Sequence, residues 1–451
     1  MPITQIKAAL NPHLNQATQI VVAFSGGLDS TVLLHCVSQL SETLSQPIVA
    51  IHVNHHLSVN ADHWQSHCEA VCQQLNIAFM AKSVHITSND KGLEAQARTL
   101  RYAAIAQSIK PGAVVLTGQH QQDQVETFLL QLKRGAGPKG LSAMGQSTAF
   151  ADDAVLLRPL LNCSLQTLKQ YAKTHQLSWI EDESNLDTRF DRNFLRHEVL
   201  PLLNQRWPGF DKAACRSVGL IAELQQSVDE MAAEDLAQAQ LAGTVVSGNV
   251  LAIATIISLS NSRQRNLLRY WITLLGIELP SQAVLNAMIS EVIAAKQDAN
   301  PKVQWGGHQL RRFDGKLYLF DNSIEHGGEA CLLMLEQTVT FEHNIGVLRL
   351  TAVVARVADD QSDVLYLRKP SANEQVSVSF DVTGVSCKPL GSPHTRKLKQ
   401  LFKQYKVPPW ARQRTPLIYY NDVLAGVAGL FVCEGFGGER EQDWVFVIFE
   451  D

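Results

Sequence analysis

The chain has no pair of cysteines two residues apart. Its eight cysteines, at 36, 68, 72, 163, 215, 331, 387 and 433, are scattered. That excludes a zinc ribbon and a dithiol redox site. No apolar run reaches the ~18 residues that a membrane-spanning helix needs. The N-terminal stretch MPITQIKAALNPHL lacks the apolar core and cleavage site of a secretory signal. The expected setting is the reducing cytoplasm of a bacterium or organelle, with no membrane partner. A basic excess is also missing, because 39 Lys and Arg against 43 Asp and Glu leave a net charge of −4. A nucleic-acid binder held by its overall charge is thereby excluded, whereas a local basic patch is not.

What is present is an ordinary globular composition, 45% hydrophobic and 18% charged over 451 residues. At ~150 residues per domain this length predicts three domains. The first ~120 residues alternate between two periods. Ile20 to Phe24, Ile48 to Val53, Ala78 to Val84 and Val114 to Leu116 read as strands buried on both faces. Between them lie helical patterns, such as Leu33, Val37, Leu40 and Leu44, and after them Asp123 to Lys133. The fold class this predicts is α/β, a doubly wound, mostly parallel sheet whose ligands sit at the carboxyl ends of the strands. From about 216 the texture becomes Ala/Leu/Gln-rich and helical, with a hairpin around Asp314-Gly315. Residues 321–330 read as a linker. Short strands then dominate, with one helix near 394–406. The expected division is 1–215, 216–325 (mainly helical) and 331–451 (α+β).

The chemistry is concentrated in Ser25-Gly26-Gly27-Leu28-Asp29-Ser30, between the first strand and first helix. Two glycines let backbone approach a ligand closely. The free N–H groups and dipole of the helix start attract anions, and two serines add hydroxyl donors. A glycine turn with a helix cap is the plain alternative. Asp29 fits a phosphate site if a cation accompanies the phosphates, or if it orients the loop. No Gly-Lys-Ser/Thr follows, which argues against transfer of a γ-phosphate.

A second cluster follows the fourth strand. Asp123 and Glu126, at i and i+3, share a helix face. Two such carboxylates can bind an ammonium group, ligate Mg²⁺ or act as a general base, or simply favour a helix start. Arg98 and Arg101 also share a face. They can clamp phosphates, or Arg98 can pair with Glu94 one turn earlier. Arg189, Arg192 and Arg196 lie among acids in residues 187–198, where a salt-bridged helix is the plain reading. His63, His67, Cys68 and Cys72 have metal-compatible spacing, but the cysteines lie on the apolar stripe of their helix, as buried free cysteines commonly do.

The hexamer at 25–30 resembles the pyrophosphate loop of the PP-loop ATP pyrophosphatases, of the adenine nucleotide alpha hydrolase-like fold. Five further stretches narrow the resemblance: His52-Val53-Asn54-His55-His56, Glu94 to Tyr102, Thr117 to Thr127, Lys133 to Met144, and Arg158-Pro159-Leu160-Leu161 with Asp182 to Asn185. Together they resemble the tRNA(Ile)-lysidine synthetase family over roughly residues 20–205. The resemblance implies ATP and Mg²⁺ as cofactors, with L-lysine and the CAU-anticodon tRNA(Ile) as partners. It implies ligation of lysine to C2 of the wobble cytidine at position 34 through an adenylated tRNA. AMP and pyrophosphate are released, and reading shifts from AUG to AUA and from Met to Ile. On this resemblance, residues 25–30 hold ATP and Asp29, Asp123 and Glu126 carry the catalysis, Asp123 also as metal ligand. Arg98, Arg101, Arg192 and Arg196 are then candidate contacts to substrate or tRNA phosphates. An oligomer is compatible with the sequence. One position departs from the family pattern: Gln122 stands where the first of two adjacent acids is usual. A PP-loop thiolase is the nearest alternative, but that chemistry generally uses paired cysteines. A non-catalytic tRNA-binding protein is a second alternative, prompted by Gln122.

Lys388 to Arg414 carries eight basic residues, with no acid from Val382 to Asn421. Lys399, Lys403 and Lys406 recur at i, i+4 and i+7, with Leu398, Leu401, Phe402 and Tyr405 as an apolar face. This predicts a basic amphipathic helix for RNA backbone contact, with Tyr405 and Trp410 available for stacking or packing; a solvated face is the plain alternative.

Overall fold

The computed structural model describes all residues except 86–92, 152, 242–249, 297–298, 323–327, 335–337, 342–345, 353–363, 439–443 and 450–451. The contacts divide the chain into two compact units, Met1–Ser227 and Val228–Asp451.

The first unit is built on six strands: β1 (Ile20–Ala23), β2 (Ile48–Asn54), β3 (Ala78–Ser83), β4 (Val114–Leu116), β5 (Ser147–Ala149) and β6 (Val155–Leu157). They run in the order β3-β2-β1-β4-β6-β5. All neighbours pair in parallel except β5, which lies antiparallel on the edge against β6. The helices that matter below are α1 (Pro2–Leu10), α2 (Leu28–Leu40), α3 (Ala61–Gln74), α4 (Leu93–Ala106), α5 (Gln121–Lys133), α6 (Pro138–Leu141) and α7 (Leu165–Thr174).

The apolar strands divide their side chains between two cores, as a period of two requires. Ile20, Val22, Ala50, Val114, Leu116 and Leu157 face one way, against Leu33, Val37 and Cys36 of α2, Cys68 and Cys72 of α3, and Leu168 of α7. Val21, Ile51, Val115 and Leu156 face the other way, against Ile105 and Tyr102 of α4. Both faces are covered, which is why these strands show no polar alternation. Cys68 and Cys72 are core residues, and among the described residues no group of three or more His, Cys, Asp and Glu could hold a metal. The chain leaves β1 in the middle of the sheet, with β2 on one side and β4 on the other. The loops after β1 and β4 therefore meet at the carboxyl end.

Further on, α8 (Asp191–Phe194) runs through a π-helical turn, Leu195–Val199, into α9 (Leu200–Arg206). The helix α10 (Phe210–Ala239) follows. The second unit contains a sheet that the helical texture did not foretell: four antiparallel strands, Val250–Ala252, Lys302–Trp305, His308–Phe313 and Lys316–Asp321, accompany its helices. The hairpin turns at Asp314 (φ 46°) and Gly315 (φ 73°), both left-handed, as its Asp-Gly pair predicts. Past residue 330 short strands dominate, and the expected helix is present but brief (Leu398–Gln404). Of the linker expected at 321–330, residues 323–327 lie outside the described residues. Among the described residues no helix is long and apolar enough to cross a membrane.

Gly26 shows how tightly the first loop is held. Its φ is +83°, and a Cβ there would lie 2.8 Å from Cys68 Sγ and closer still to the Ile180 side chain. Gly26→Ala is expected to cost about 2–4 kcal/mol, from the left-handed backbone and the collision together. Urea unfolding of the variant against the parent checks it.

Candidate active site

The loop after β1 is organised by its own short bonds. Ser30 Oγ donates to the Gly27 carbonyl at 3.0 Å, and the Ser25 and Ser30 hydroxyls lie 3.1 Å apart. Thr31 Oγ1 donates to the Gly26 carbonyl at 3.2 Å, and Ile180 N–H reaches the same carbonyl at 2.8 Å. Gly27 is the N-cap of α2, and no side chain caps it. A helix start of this kind presents backbone N–H groups suited to an anion.

The loop after β4 comes close to it. A Cβ on Gly118 would sit 3.1 Å from the backbone of Asp29 and Ser30, so a larger residue would push the two loops apart by a few tenths of an ångström. His120 follows as the N-cap of α5. Its Nδ1 accepts from Gln122 N–H at 3.1 Å, while its own N–H donates to Asp123 Oδ2 at 2.9 Å. Because Nδ1 accepts, the ring proton sits on Nε2. That nitrogen faces two carboxylates, Asp29 Oδ2 at 3.6 Å and Asp123 Oδ2 at 3.7 Å. His120 lies within the stretch Thr117 to Thr127, and its role is not among those expected from the sequence. The signal was available: a polar residue at a strand end, three before an aspartate, is a capping pattern.

Burial pushes the Asp29 carboxyl above its usual range, and neighbouring Asp123 adds to this, while His120 and Arg196 pull it back. Asp29 Oδ1 is buried without a hydrogen-bond partner. Glu126 is fully buried. Arg196 donates to it in a fork, Nε to Oε1 at 2.7 Å and Nη2 to Oε2 at 3.0 Å. The same Nη2 reaches Asp123 Oδ1 at 3.0 Å. Arg192 lies 3.4 Å from Glu126 Oε2 and donates to Thr127 Oγ1 at 3.1 Å. Burial raises Glu126 as well, with the Arg196 fork working against it. The structure thus joins Asp29, Asp123, Glu126, Arg192 and Arg196. It spends Glu126 on arginines and leaves Asp29 with an open oxygen.

The remaining candidates lie apart from this cluster. Arg101 Nε donates to His55 Nε2 at 3.5 Å. Burial and Arg101 hold His55 down to about 4, and His52, bonded through Nδ1 to the Phe24 carbonyl at 2.9 Å, is lowered too. Both rings are neutral fixtures of the strand end. Arg98 stacks over the Tyr102 ring at 5.1 Å, while the side chain of Glu94 lies outside the described residues. Arg158 is buried, with Nη1 donating to the Gly145 carbonyl at 2.8 Å.

The basic stretch near residue 400 differs from its expected form. The helix ends at Gln404, and Lys406 is left-handed at φ 54°. Lys406 therefore leaves the helical stripe and pairs with Asp314 at 2.9 Å. Lys388 pairs with Glu434 at 3.3 Å. Trp410 packs among Phe313, Tyr318 and Phe320, and Tyr405 stacks on Phe431, so both rings serve packing. Lys399 and Lys403 remain exposed on the helix, above buried Leu398, Leu401 and Phe402.

The folded-state pKa of Asp29 lies above its unfolded value. Its favourable contribution is therefore present in acid and lost as pH rises through the raised value. Near neutral pH the ionised group is destabilising. Asp29→Asn is expected to melt about 2 °C higher than the parent there, a modest gain because water reaches 35% of the side chain. The gap should close as pH falls into the usual carboxylate range. Thermal melts across that range check it; a gap that widens in acid contradicts it.

The PP-loop domain family matches residues 2–203, the TilS substrate binding domain 251–318 and the TilS substrate C-terminal domain 376–448. The tRNA(Ile)-lysidine synthase of Serratia proteamaculans is 42% identical over 442 residues, 98% of each chain. That of Photobacterium profundum is 41% identical over 455 residues, 99% of each chain. That of Shigella flexneri is 42% identical over 441 residues, 97% of this chain and 98% of the relative.

Proposed function

The chain belongs to the tRNA(Ile)-lysidine synthase family, and on that premise we propose that it ligates L-lysine to C2 of cytidine 34 in the CAU-anticodon tRNA(Ile), using ATP. The observation that carries the reading is the convergence of two loops. An uncapped helix start, suited to phosphates, lies against a strand-end carboxylate cluster with one unsatisfied oxygen.

In this reading the loop Ser25–Ser30 cradles the phosphates of ATP. Gly26 supplies the left-handed turn, and Leu28, Asp29 and Ser30 open the helix. The C2 oxygen of the cytidine attacks the α-phosphate, and pyrophosphate leaves. The ε-amine of lysine then attacks C2 and displaces AMP. The base must be splayed from its neighbours to reach the site. The amine must lose its proton to react, and Asp123 is the base we favour, at 15% exposure against 0% for Glu126. Glu126 then holds Arg196, and Arg192 and Arg196 are within reach of a phosphate at the mouth.

Asp29 and Asp123 would hold a Mg²⁺ ion together with the phosphates of ATP: Asp29 keeps one oxygen without a hydrogen-bond partner, and the loop Ser25–Ser30 lies beside it. When bound, the ion would offset charge on the phosphates. Gln122 is compatible with this, because its contribution to the site is its backbone N–H on His120.

Residues 1–215 would form the catalytic domain, with 216–325 and 331–451 presenting the tRNA. The matches to two substrate-binding families support that division. No membrane partner is proposed, and the setting proposed is the cytoplasm. Arg101 is assigned to holding the β2 strand end through His55, beside its candidacy as a substrate contact.

The test is AMP and pyrophosphate release from ATP with the CAU-anticodon tRNA, with and without lysine, together with labelled lysine entering the tRNA. Lysine in the tRNA is the expected result. No AMP formation in the presence of that tRNA overturns it. Lys399→Gln with Lys403→Gln should weaken tRNA binding and reduce the salt slope by roughly one to two. Lys406→Gln, already paired with Asp314, should leave the slope unchanged. Salt-dependent filter binding reads both.

A further inference from the structure

A second cationic site lies at the carboxyl end of the sheet, outside the carboxylate cluster. A cavity of about 180 Å³ is lined by Arg98, Tyr102, Thr148, Phe150, Leu156 and Arg158, among others. Arg158 directly follows β6, and Thr117 N–H bonds the Leu157 carbonyl at 3.0 Å. Its place in the fold is therefore one residue from the loop that carries His120.

The guanidinium of Arg158 is 7% exposed. One arm is spent on the Gly145 carbonyl at 2.8 Å and Thr148 Oγ1 at 3.0 Å. Its Nε is buried with no hydrogen-bond partner. The Tyr102 hydroxyl is a further hydrogen-bond partner of the guanidinium, and the charge acting on it is that of a second cation, Arg98. Among the described residues, no carboxylate pairs with either arginine. Two guanidiniums sharing one cavity repel each other, and burying one of them without a counter-ion is costly. An anion removes both penalties. A planar carboxylate matches the guanidinium fork.

The rest of the lining decides which anion. Tyr102, Phe150, Leu156 and Ala149 give the cavity apolar walls beside its cationic end. That combination suits a carboxylate on an aliphatic stem, and it suits a bare backbone phosphate poorly. The geometry points to this cavity as the site for the α-carboxylate and stem of the amino-acid substrate. The inference rests on the lysine ligation proposed above. In this assignment the ε-ammonium extends out of the cavity, and Asp29 and Asp123 carry the charge complementary to it.

The experiment uses the full chain and two amine substrates, lysine and 1,5-diaminopentane, which lacks only the carboxylate. The parent should prefer lysine, and Arg98→Met should raise the lysine KM about 10- to 100-fold while barely changing that of the diamine. Arg98 is exposed, so this variant should fold, and Arg158→Met serves as the buried counterpart. Equal losses for both amines would mean a structural effect and overturn the inference. So would a raised KM for tRNA with a reduced salt slope, which marks a phosphate contact. ATP–pyrophosphate exchange with tRNA in the absence of lysine separates the two readings. If exchange is absent in the parent, the proposed function fails. If exchange is present and discrimination between the amines is unchanged in Arg98→Met, only the carboxylate site fails.

Discussion

Glu126 has no exposed surface, and a carboxylate in that position is tolerated only beside a cation with matching geometry. Arg196 meets that demand with Nε and Nη2, and the same Nη2 also reaches Asp123. This one pairing locks α5 to the segment around residue 196, seventy residues away. It also fixes Asp123 laterally, while His120 fixes it from the helix start. The arrangement of the carboxylate cluster follows from these two restraints. Arg192 extends the same logic by bonding Thr127, whose hydroxyl is itself tied to the Asp123 carbonyl at 2.8 Å.

A site built this way divides its acids by environment. Glu126 is spent on structure. Asp29, raised by burial and holding an oxygen without a hydrogen-bond partner, is the acid whose surroundings do least to compensate its charge. The loop around it is closely packed: Gly26 lies against the side chains of Ile180 and Cys68, and Gly118 against the backbone of Asp29 and Ser30.

Much of this was legible in the sequence. The strands of the parallel sheet are read from unbroken apolar runs, because both faces are buried. Ile20, Val21 and Val22 send side chains to opposite cores, so no position is free to be polar. The hexamer at 25–30 is local, and so was readable as one motif. What escaped is non-local or depends on backbone sign. Nothing near Arg196 in the chain announces that it meets Glu126. The edge strand Ser147–Ala149 is three exposed residues without an apolar pattern. Lys406 keeps perfect helical spacing from Lys399, yet its positive φ takes it off the helix and onto Asp314. Stacking and packing stayed open for Trp410 because the rings that enclose it lie some ninety residues earlier.

The capping of α5 by His120 reaches further than the helix itself. A serine or aspartate in that position would satisfy the same N–H groups through a short, freely rotating side chain. An imidazole is flat and stiff: Nδ1 and Nε2 are held at a fixed separation by the ring. One edge is pinned to the helix start by Gln122 N–H, and the opposite edge lies between Asp29 and Asp123. The ring therefore acts as a ruler. The distance from the start of α5 to two carboxylates, drawn from loops that follow different strands, is set by the width of an aromatic ring.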